Sequence, residues 1–232
     1  MLSASSPAAA YISSGLSTAF QWSFNNPYDF KIPYRTLDNW HSRYFVGLWQ
    51  LALGYNAGNG AGVLGLGWSL DIPAIERSPR AGIPRPGDPP TWILRHLGDG
   101  EELTEVSPGV YRQRIEQGAP VLVRMLQGGA MSAFTADGTG YLFGLTDEAR
   151  LVSGAGPVRL ELSAITDVHG NRIDFTYTRE AGSDAPLLAA ITWNDGRARV
   201  LFDYEARPDV VTSRALGVRV ALAHRLAAFR TE

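Results

Sequence analysis

From Trp49 onward apolar and polar residues alternate with a period of two, the mark of strands that bury one face. Trp49, Leu51, Leu53 and Tyr55 alternate with Gln50, Ala52 and Gly54, and Asn56–Gly62 then supplies a loop of residues that tolerate positive φ. Trp68, Leu70 and Ile72 resume the alternation against Ser69 and Asp71 until Pro73 ends it. The two runs predict a hairpin, with Gly65 and Gly67 as a close strand entrance and Trp68, Leu70 and Ile72 facing inward.

The middle of the chain reads as weaker hairpins. Asp99-Gly100 and Asp137-Gly138 are turn signals, Tyr141 and Phe143 are inward candidates, and Arg85–Pro90 is a loop by its prolines. Further on, Ile173, Phe175 and Tyr177 alternate after the turn His169-Gly170-Asn171-Arg172. Val200, Phe202 and Tyr204 do so after Asn194-Asp195-Gly196-Arg197, and Val218, Val220 and Leu222 follow Gly217.

Two of these units, HGNRIDFTY and NDGRARVLFDY, lie 25 residues apart and share a polar glycine turn, an arginine, an alternating strand and a closing tyrosine. Repetition at this period predicts stacked hairpins in an extended antiparallel sheet. With no long helical stripe, the expected fold class is all-β with little helix. Residues 1–45 are left unassigned, and residues 46–232 form the expected β domain.

Composition narrows the function. The 232 residues are 45% hydrophobic and 10% aromatic, enough for a folded core. Twenty-one basic against 23 acidic residues leave a net charge of −2, so no polybasic footprint points to nucleic acid or an anionic membrane. There is no cysteine, which removes thiol nucleophiles and thiolate metal sites. The N-terminal MLSASSPAAAYISSGL has neither basic n-region nor continuous apolar h-region, so no Sec-type signal is readable, and no apolar run reaches membrane-span length.

Each candidate chemistry has a plainer reading. Gly62-x-x-Gly65-x-Gly67 precedes a strand rather than a helix, so no helix N-terminus stands ready for a phosphate. His41, His96, His169 and His224 are scattered without ligand spacing. Asp99, Glu101 and Glu102 could collect calcium but read better as a solvated turn. No G-x-S-x-G elbow is present. Trp22, Trp40, Trp92 and Trp193 could line a sugar-binding face, or fill the core as so apolar a chain favours.

The segment LALGYNAGNGAGVLGLGWSLDIPAIERSPRAGIPR resembles the opening motif of the SpvB-type N-terminal region, shared by the Salmonella virulence-plasmid B protein and the B component of insecticidal Tc toxin complexes. Downstream, DVHGNRIDFTYT and DGRARVLFDYEARPDVVTSRALGVRVALAHRLAAFR resemble two later stretches of the same region. The positions that carry the likeness as structural motifs are Gly65, Gly67, Trp68, Gly170, Asn171, Asp195, Gly196, Tyr204, Arg207, Pro208 and Asp209. Ala61–Leu64 enlarges a loop that is tighter in that family, residues 1–45 do not follow its lead-in, and a stop soon after Arg207-Pro208-Asp209 reads as a short or truncated member.

The resemblance implies a scaffold related to the YD-repeat β-shells that enclose a toxic polypeptide cargo. Its implied partners are other toxin-complex or shell subunits, or the cargo. Catalysis and cofactors are not expected, and the Glu-x-Glu pair of the actin-modifying transferase domain is missing from the sequence. Release from a bacterium by a non-Sec route, or residence in its cytoplasm beforehand, is the implied location. The alternative is a carbohydrate- or host-surface-binding β module using exposed aromatics.

Overall fold

The computed structural model describes residues 20–21, 52–56, 60–97, 102–115, 119–214 and 217–232. Trp22, Trp40, His41, Trp49–Leu51 and Asp99-Gly100 lie outside these residues, as does the unassigned 1–45 segment apart from one short strand.

Strands β1 (Phe20–Gln21), β2 (Ala52–Tyr55), β3 (Ala61–Gly62), β4 (Gly65–Leu66) and β5 (Trp68–Leu70) open the chain. The expected hairpin is present, since β2 and β5 pair antiparallel with Leu53↔Leu70 and Tyr55↔Trp68 in register, and β1 adds to the edge of β2. The predicted loop between them is not plain. Ala61 and Gly62 pair with Leu66 and Gly65, so a two-stranded ribbon stands where Asn56–Gly62 reads as a turn.

One large antiparallel sheet holds β6 (Ala74–Arg77), β7 (Trp92–Arg95), β8 (Glu102–Ser107), β9 (Val110–Gln113), β10 (Val121–Met125), β11 (Met131–Thr135), β12 (Gly140–Phe143) and β13 (Arg150–Ser153). It continues through β14 (Gly156–Thr166), β15 (Arg172–Thr178), β16 (Leu187–Trp193), β17 (Ala198–Ser213) and β18 (Val220–Thr231). The helical elements described are three short 3-10 turns, so the all-β expectation is met.

The eleven-residue β14 decides the architecture. Strands β6 to β12 follow one another as hairpins, and β14 pairs with both ends of that run, Leu160 opposite Ile75 and Ala164 opposite Leu142. Eight strands thereby close a ring and leave no edge between β6 and β12. Alternation places Ile75, Leu94, Val123, Met131, Phe143 and Leu160 inside, each fully buried. Tyr141 and Phe143 are buried as their spacing predicts, and Asp137-Gly138 makes its turn.

The same strand then forks. Its residues 159–161 pair with β6, whereas residues 164–166 on that edge pair with β15. From the fork β15, β16, β17 and β18 run on as a four-stranded extension of the same sheet that buries Ile173, Phe175, Ile191, Trp193, Val200 and Phe202.

At the start of β18 the inward phase differs from the reading by one residue. Ala221 is the buried position, and Val220 and Leu222 are half-buried. The β15–β16 connection lies across this stretch and takes its backbone: Ala221 donates to the Asp184 carboxylate at 2.8 Å and Ala223 to Ser183 Oγ at 2.9 Å. Gly182 in that loop has φ 83°, and a Cβ there would stand 3.6 Å from the Ala223 methyl, an ordinary contact.

Candidate functional site

The repeat noticed in the sequence is one structural device used twice. On β14 and β15 the last paired residues are Ala164 and Asp174; the Tyr177 hydroxyl, three residues on, donates to the Leu162 carbonyl at 2.8 Å. On β16 and β17 they are Ala190 and Leu201, and the Tyr204 hydroxyl, again three residues on, donates to the Leu188 carbonyl at 2.7 Å. Where two strands diverge, the carbonyl just past the last pair loses its backbone donor, and the tyrosine supplies one.

Both acceptors precede a β-bulge. Ser163 is the extra residue between β14 and β12, and Ala189 between β16 and β15. The bulge bends the strand and makes the fork possible. Burial raises the pKa of Tyr204, and burial first, then nearby Glu161, pushes that of Tyr177 well above the usual phenol value.

The turns that precede these strands sit at the opposite end of each hairpin. Asp167 closes the first, its carboxylate accepting from the Asn171 backbone at 2.8 Å and side chain at 2.7 Å, with Gly170 at φ 83°. In the second, Asn194, Asp195 and Gly196 all take positive φ. Gly170, Asn171, Asp195 and Gly196 therefore shape turns and do not join the tyrosines.

Arg207, Pro208 and Asp209 form a wide bulge in β17: Ala206 faces His224 and Val211 faces Leu222, so four residues stand opposite one. The Arg207 side chain is only 3% exposed. It forks onto Asp209, with Nε at 3.2 Å and Nη2 at 3.0 Å from the carboxylate oxygens, and its Nη1 donates to the Gly62 carbonyl at 3.1 Å. The neighbouring Val63 carbonyl accepts from the Leu226 N–H at 2.7 Å. The β3–β4 ribbon is thus pinned to β17 and β18, and the two separate sequence motifs meet in space. That bond from Arg207 is the first cause of an Asp209 pKa below the ordinary carboxylate value.

At the base of the ribbon Gly67 has φ 80°, and a Cβ there would stand 2.6 Å from Tyr55 Cε2 and 3.2 Å from the Asn56 carbonyl oxygen. Gly65 has φ 106° and open space around it. Trp68 is half-buried, its ring 5.1 Å from that of Tyr55. It belongs to the small first sheet, while Leu70 and Ile72 pack on the main core.

Residues missed by the sequence reading complete the fork. Arg159 on β14 binds Glu161 at 2.7 Å and Glu76 on β6 at 3.2 Å, and Arg95 on β7 binds Glu76 at 2.7 Å. Glu161 is the leading cause that raises the Arg159 pKa. Charges three strands wide thus balance one another beside the point where β15 leaves. Arg77, stacked on Trp92 at 5.1 Å, donates to the Ala155 and Pro157 carbonyls and ties β6 to the β13–β14 turn.

Among the described residues the candidate acidic and histidine side chains are engaged in separate contacts. Glu102 is occupied by Ser78 Oγ at 2.6 Å and by Arg114, and Asp99 and Glu101 fall outside the described residues. His96 lies 3.8 Å from Asp71 and His224 3.3 Å from Ser183 Oγ. Among the described residues no cluster of three or more His, Asp or Glu could hold a metal ion, and no helix is long and apolar enough to cross a membrane. Trp92 and Trp193 are core residues at 3% and 2% exposure, so they line no sugar-binding face.

Residues 41–117 match the family model described as Salmonella virulence plasmid 65kDa B protein. The family is SpvB. The solved N-terminal domain of the effector SpvB from Salmonella typhimurium strain LT2 shares the fold, with TM-score 0.65 and 18% identity over 77% of this chain and 81% of that one. The SpvB-like fold also recurs in TcdB2-TccC3-TEV, with TM-score 0.65 and 15% identity over 97% of this chain and 13% of that one. It recurs again in the Photorhabdus luminescens Tc holotoxin pore, with TM-score 0.62 and 16% identity over 78% of this chain and 12% of that one. At these identities the common property is the fold, and this chain spans a small part of the Tc polypeptides. No curated protein matches the chain. The SpvB family match covers the ribbon and the first barrel strands; the forks and the Arg207 bulge lie beyond it.

Proposed function

We propose that this chain is a non-enzymatic scaffold module of a bacterial toxin or virulence assembly, contributing to a β-shell that encloses a polypeptide cargo or docks other toxin-complex subunits. The observation that carries the reading is the closed ring with a sheet forking from β14, in a fold shared with the SpvB N-terminal domain and with part of the Tc structures. Its chemistry fits a scaffold: buried arginines hold carbonyls of distant segments, and the hydroxyls of two half-buried tyrosines are spent on strand junctions. Release by a non-Sec route, after residence in the bacterial cytoplasm, is the location that goes with this role.

The test is a chimera in which this chain replaces the matching segment of TcdB2-TccC3. A scaffold yields a closed particle whose interior polypeptide resists protease. An aggregated or open particle with a fully digestible interior would remove the reading.

A further inference from the structure

Two connections that are far apart in sequence meet at Gly217. It sits in the β17–β18 turn with φ 74° and donates its N–H to the Arg214 carbonyl at 3.0 Å. A Cβ at this position would stand 2.6 Å from Ile83 Cγ2 and 3.2 Å from Pro84 Cδ, so the β6–β7 connection lies directly against the turn. The ring and the tip of the sheet extension close on each other there, and the missing side chain is what lets them touch. Ile83 keeps 67% of its surface exposed although it takes part in this contact.

The contact gathers arginines. Arg85 follows Pro84, and Arg214 and Arg219 flank Gly217, so all three stand within three residues of it. All are exposed, and among the described residues none of their side chains has an ion pair or hydrogen bond. Elsewhere the charges are balanced: Arg172 pairs with Asp174, Arg225 with Glu205 and Arg230 with Asp203, while Arg77 and Arg179 bind backbone carbonyls. Residues 78–91 and 214–219 hold one acid, Asp88, whose carboxylate accepts from the Arg85 backbone N–H at 2.8 Å. Arg80, on the same connection, stands 4.0 Å from Glu102. Three guanidinium forks beside one carboxylate leave a positive surface on a chain whose net charge is −2.

We propose that Arg85, Arg214 and Arg219, held together by the contact of Ile83 with Gly217, form a docking surface for an acidic polypeptide segment with an apolar residue that covers Ile83. A guanidinium presents parallel donors that fit a carboxylate. The negative charge of the whole chain opposes a long, dense polyanion such as nucleic acid or an anionic bilayer; a short acidic segment meets less of it. Because the arginines come from both connections, the surface exists only while the extension is closed on the ring. The proposal rests on the scaffold reading only in taking the segment to belong to another subunit of the assembly.

The probe is a labelled peptide, DEDLDED, added to the 232-residue chain at low salt and followed by anisotropy, with circular dichroism to show that each variant is folded. Saturable binding is expected, weakened about two- to fivefold by each of Arg85→Gln, Arg214→Gln and Arg219→Gln. Arg124→Gln on β10 and Arg197→Gln in the β16–β17 turn remove the same charge from arginines that are also unpaired among the described residues, and they leave binding unchanged. Gly217→Ala keeps every charge but forces the two connections apart, and it weakens binding at least as much as the loss of one arginine. The peptide DEDSDED, without the apolar residue, binds more weakly. Equal weakening by all five arginine variants, or binding indifferent to Gly217→Ala, overturns the proposal in favour of unspecific charge. So does tighter binding of a heparin oligosaccharide or of phosphatidylserine vesicles than of the peptide. A peptide that binds while the chimera fails to close keeps this surface and removes the scaffold reading; a chimera that closes while no peptide binds removes the surface alone.

Discussion

Arg207 donates to the Gly62 carbonyl at 3.1 Å across 145 positions of sequence. Through this contact, and the Leu226 N–H bond to the Val63 carbonyl beside it, the glycine-rich ribbon near the start of the described chain is held by β17 and β18. The ribbon itself pairs only two residues on each side, far too few to stand alone in water.

Arg207→Ala is therefore expected to destabilise the protein by about 2–4 kcal/mol, from the lost charge-assisted bonds and the stranded Gly62 carbonyl. Lysine, which lacks the fork, restores less than half of this. Asp209→Ala costs less than Arg207→Ala, because its carboxylate faces solvent. Urea unfolding measures all three; a change under about 0.5 kcal/mol for Arg207→Ala would show that the ribbon is held by something else.

Tyr177→Phe and Tyr204→Phe each remove one hydroxyl and leave the ring in place. Each is expected to cost about 1–2 kcal/mol and to speed amide exchange at the fork residues. If exchange near Leu162 and Leu188 is unchanged, the hydroxyls do not close the forks.

The glycines of the ribbon separate two effects. Gly67→Ala meets both a left-handed φ and the Tyr55 ring, and a loss above about 2 kcal/mol is expected; Gly65→Ala meets the φ alone and costs about 1 kcal/mol. Because Trp68 is half-buried, Trp68→Ala is expected nearer 1–3 kcal/mol than the 3–5 typical of a fully buried ring. Equal losses at Gly65 and Gly67 would argue against the Tyr55 contact.

Alkali and acid act on different parts. The raised pKa values of Tyr177 and Tyr204 mean that the folded state keeps protons the unfolded chain gives up, so their contribution is complete below about pH 10 and is lost as the pH rises beyond it. Asp209 has the opposite sign: its contribution is present above about pH 4 and is lost as the pH falls through its lowered value. Tryptophan emission together with tyrosinate absorbance follows the alkaline limb; tyrosines that ionise at the free-phenol value with the fold intact would contradict the buried assignment.

Much of the fold is legible along the chain because a strand's two faces alternate at every residue. Tyr141, Phe143, Ile173, Phe175, Val200 and Phe202 are buried as their spacing predicts. The alternation misleads at Val220 and Leu222, where a loop from another hairpin decides which side is covered. It is also silent on the ribbon, since Ala61, Gly62 and Gly65 carry too little side chain for a pattern and Leu66 is exposed.

The tyrosine of the repeat was visible in the sequence, but its carbonyl was not. Leu162 and Leu188 look like any core leucine, and the sign that marks them, a Leu-[Ser/Ala]-Ala triplet recurring at 162, 188 and 226, gains meaning only once the bulges are placed. Arg207 stood out through its Pro208-Asp209 neighbours, yet the same three residues could equally have formed an exposed turn.

By itself the sequence determined the all-β class, the hairpin units, the glycine turns and the likeness to the SpvB region, because these depend on residues close together along the chain. Only the tertiary structure decided that β14 closes a ring, that it forks, and that Arg207 reaches Gly62. Such choices depend on which backbone donors and acceptors remain unmet when distant strands converge, and a one-dimensional pattern does not record where they meet.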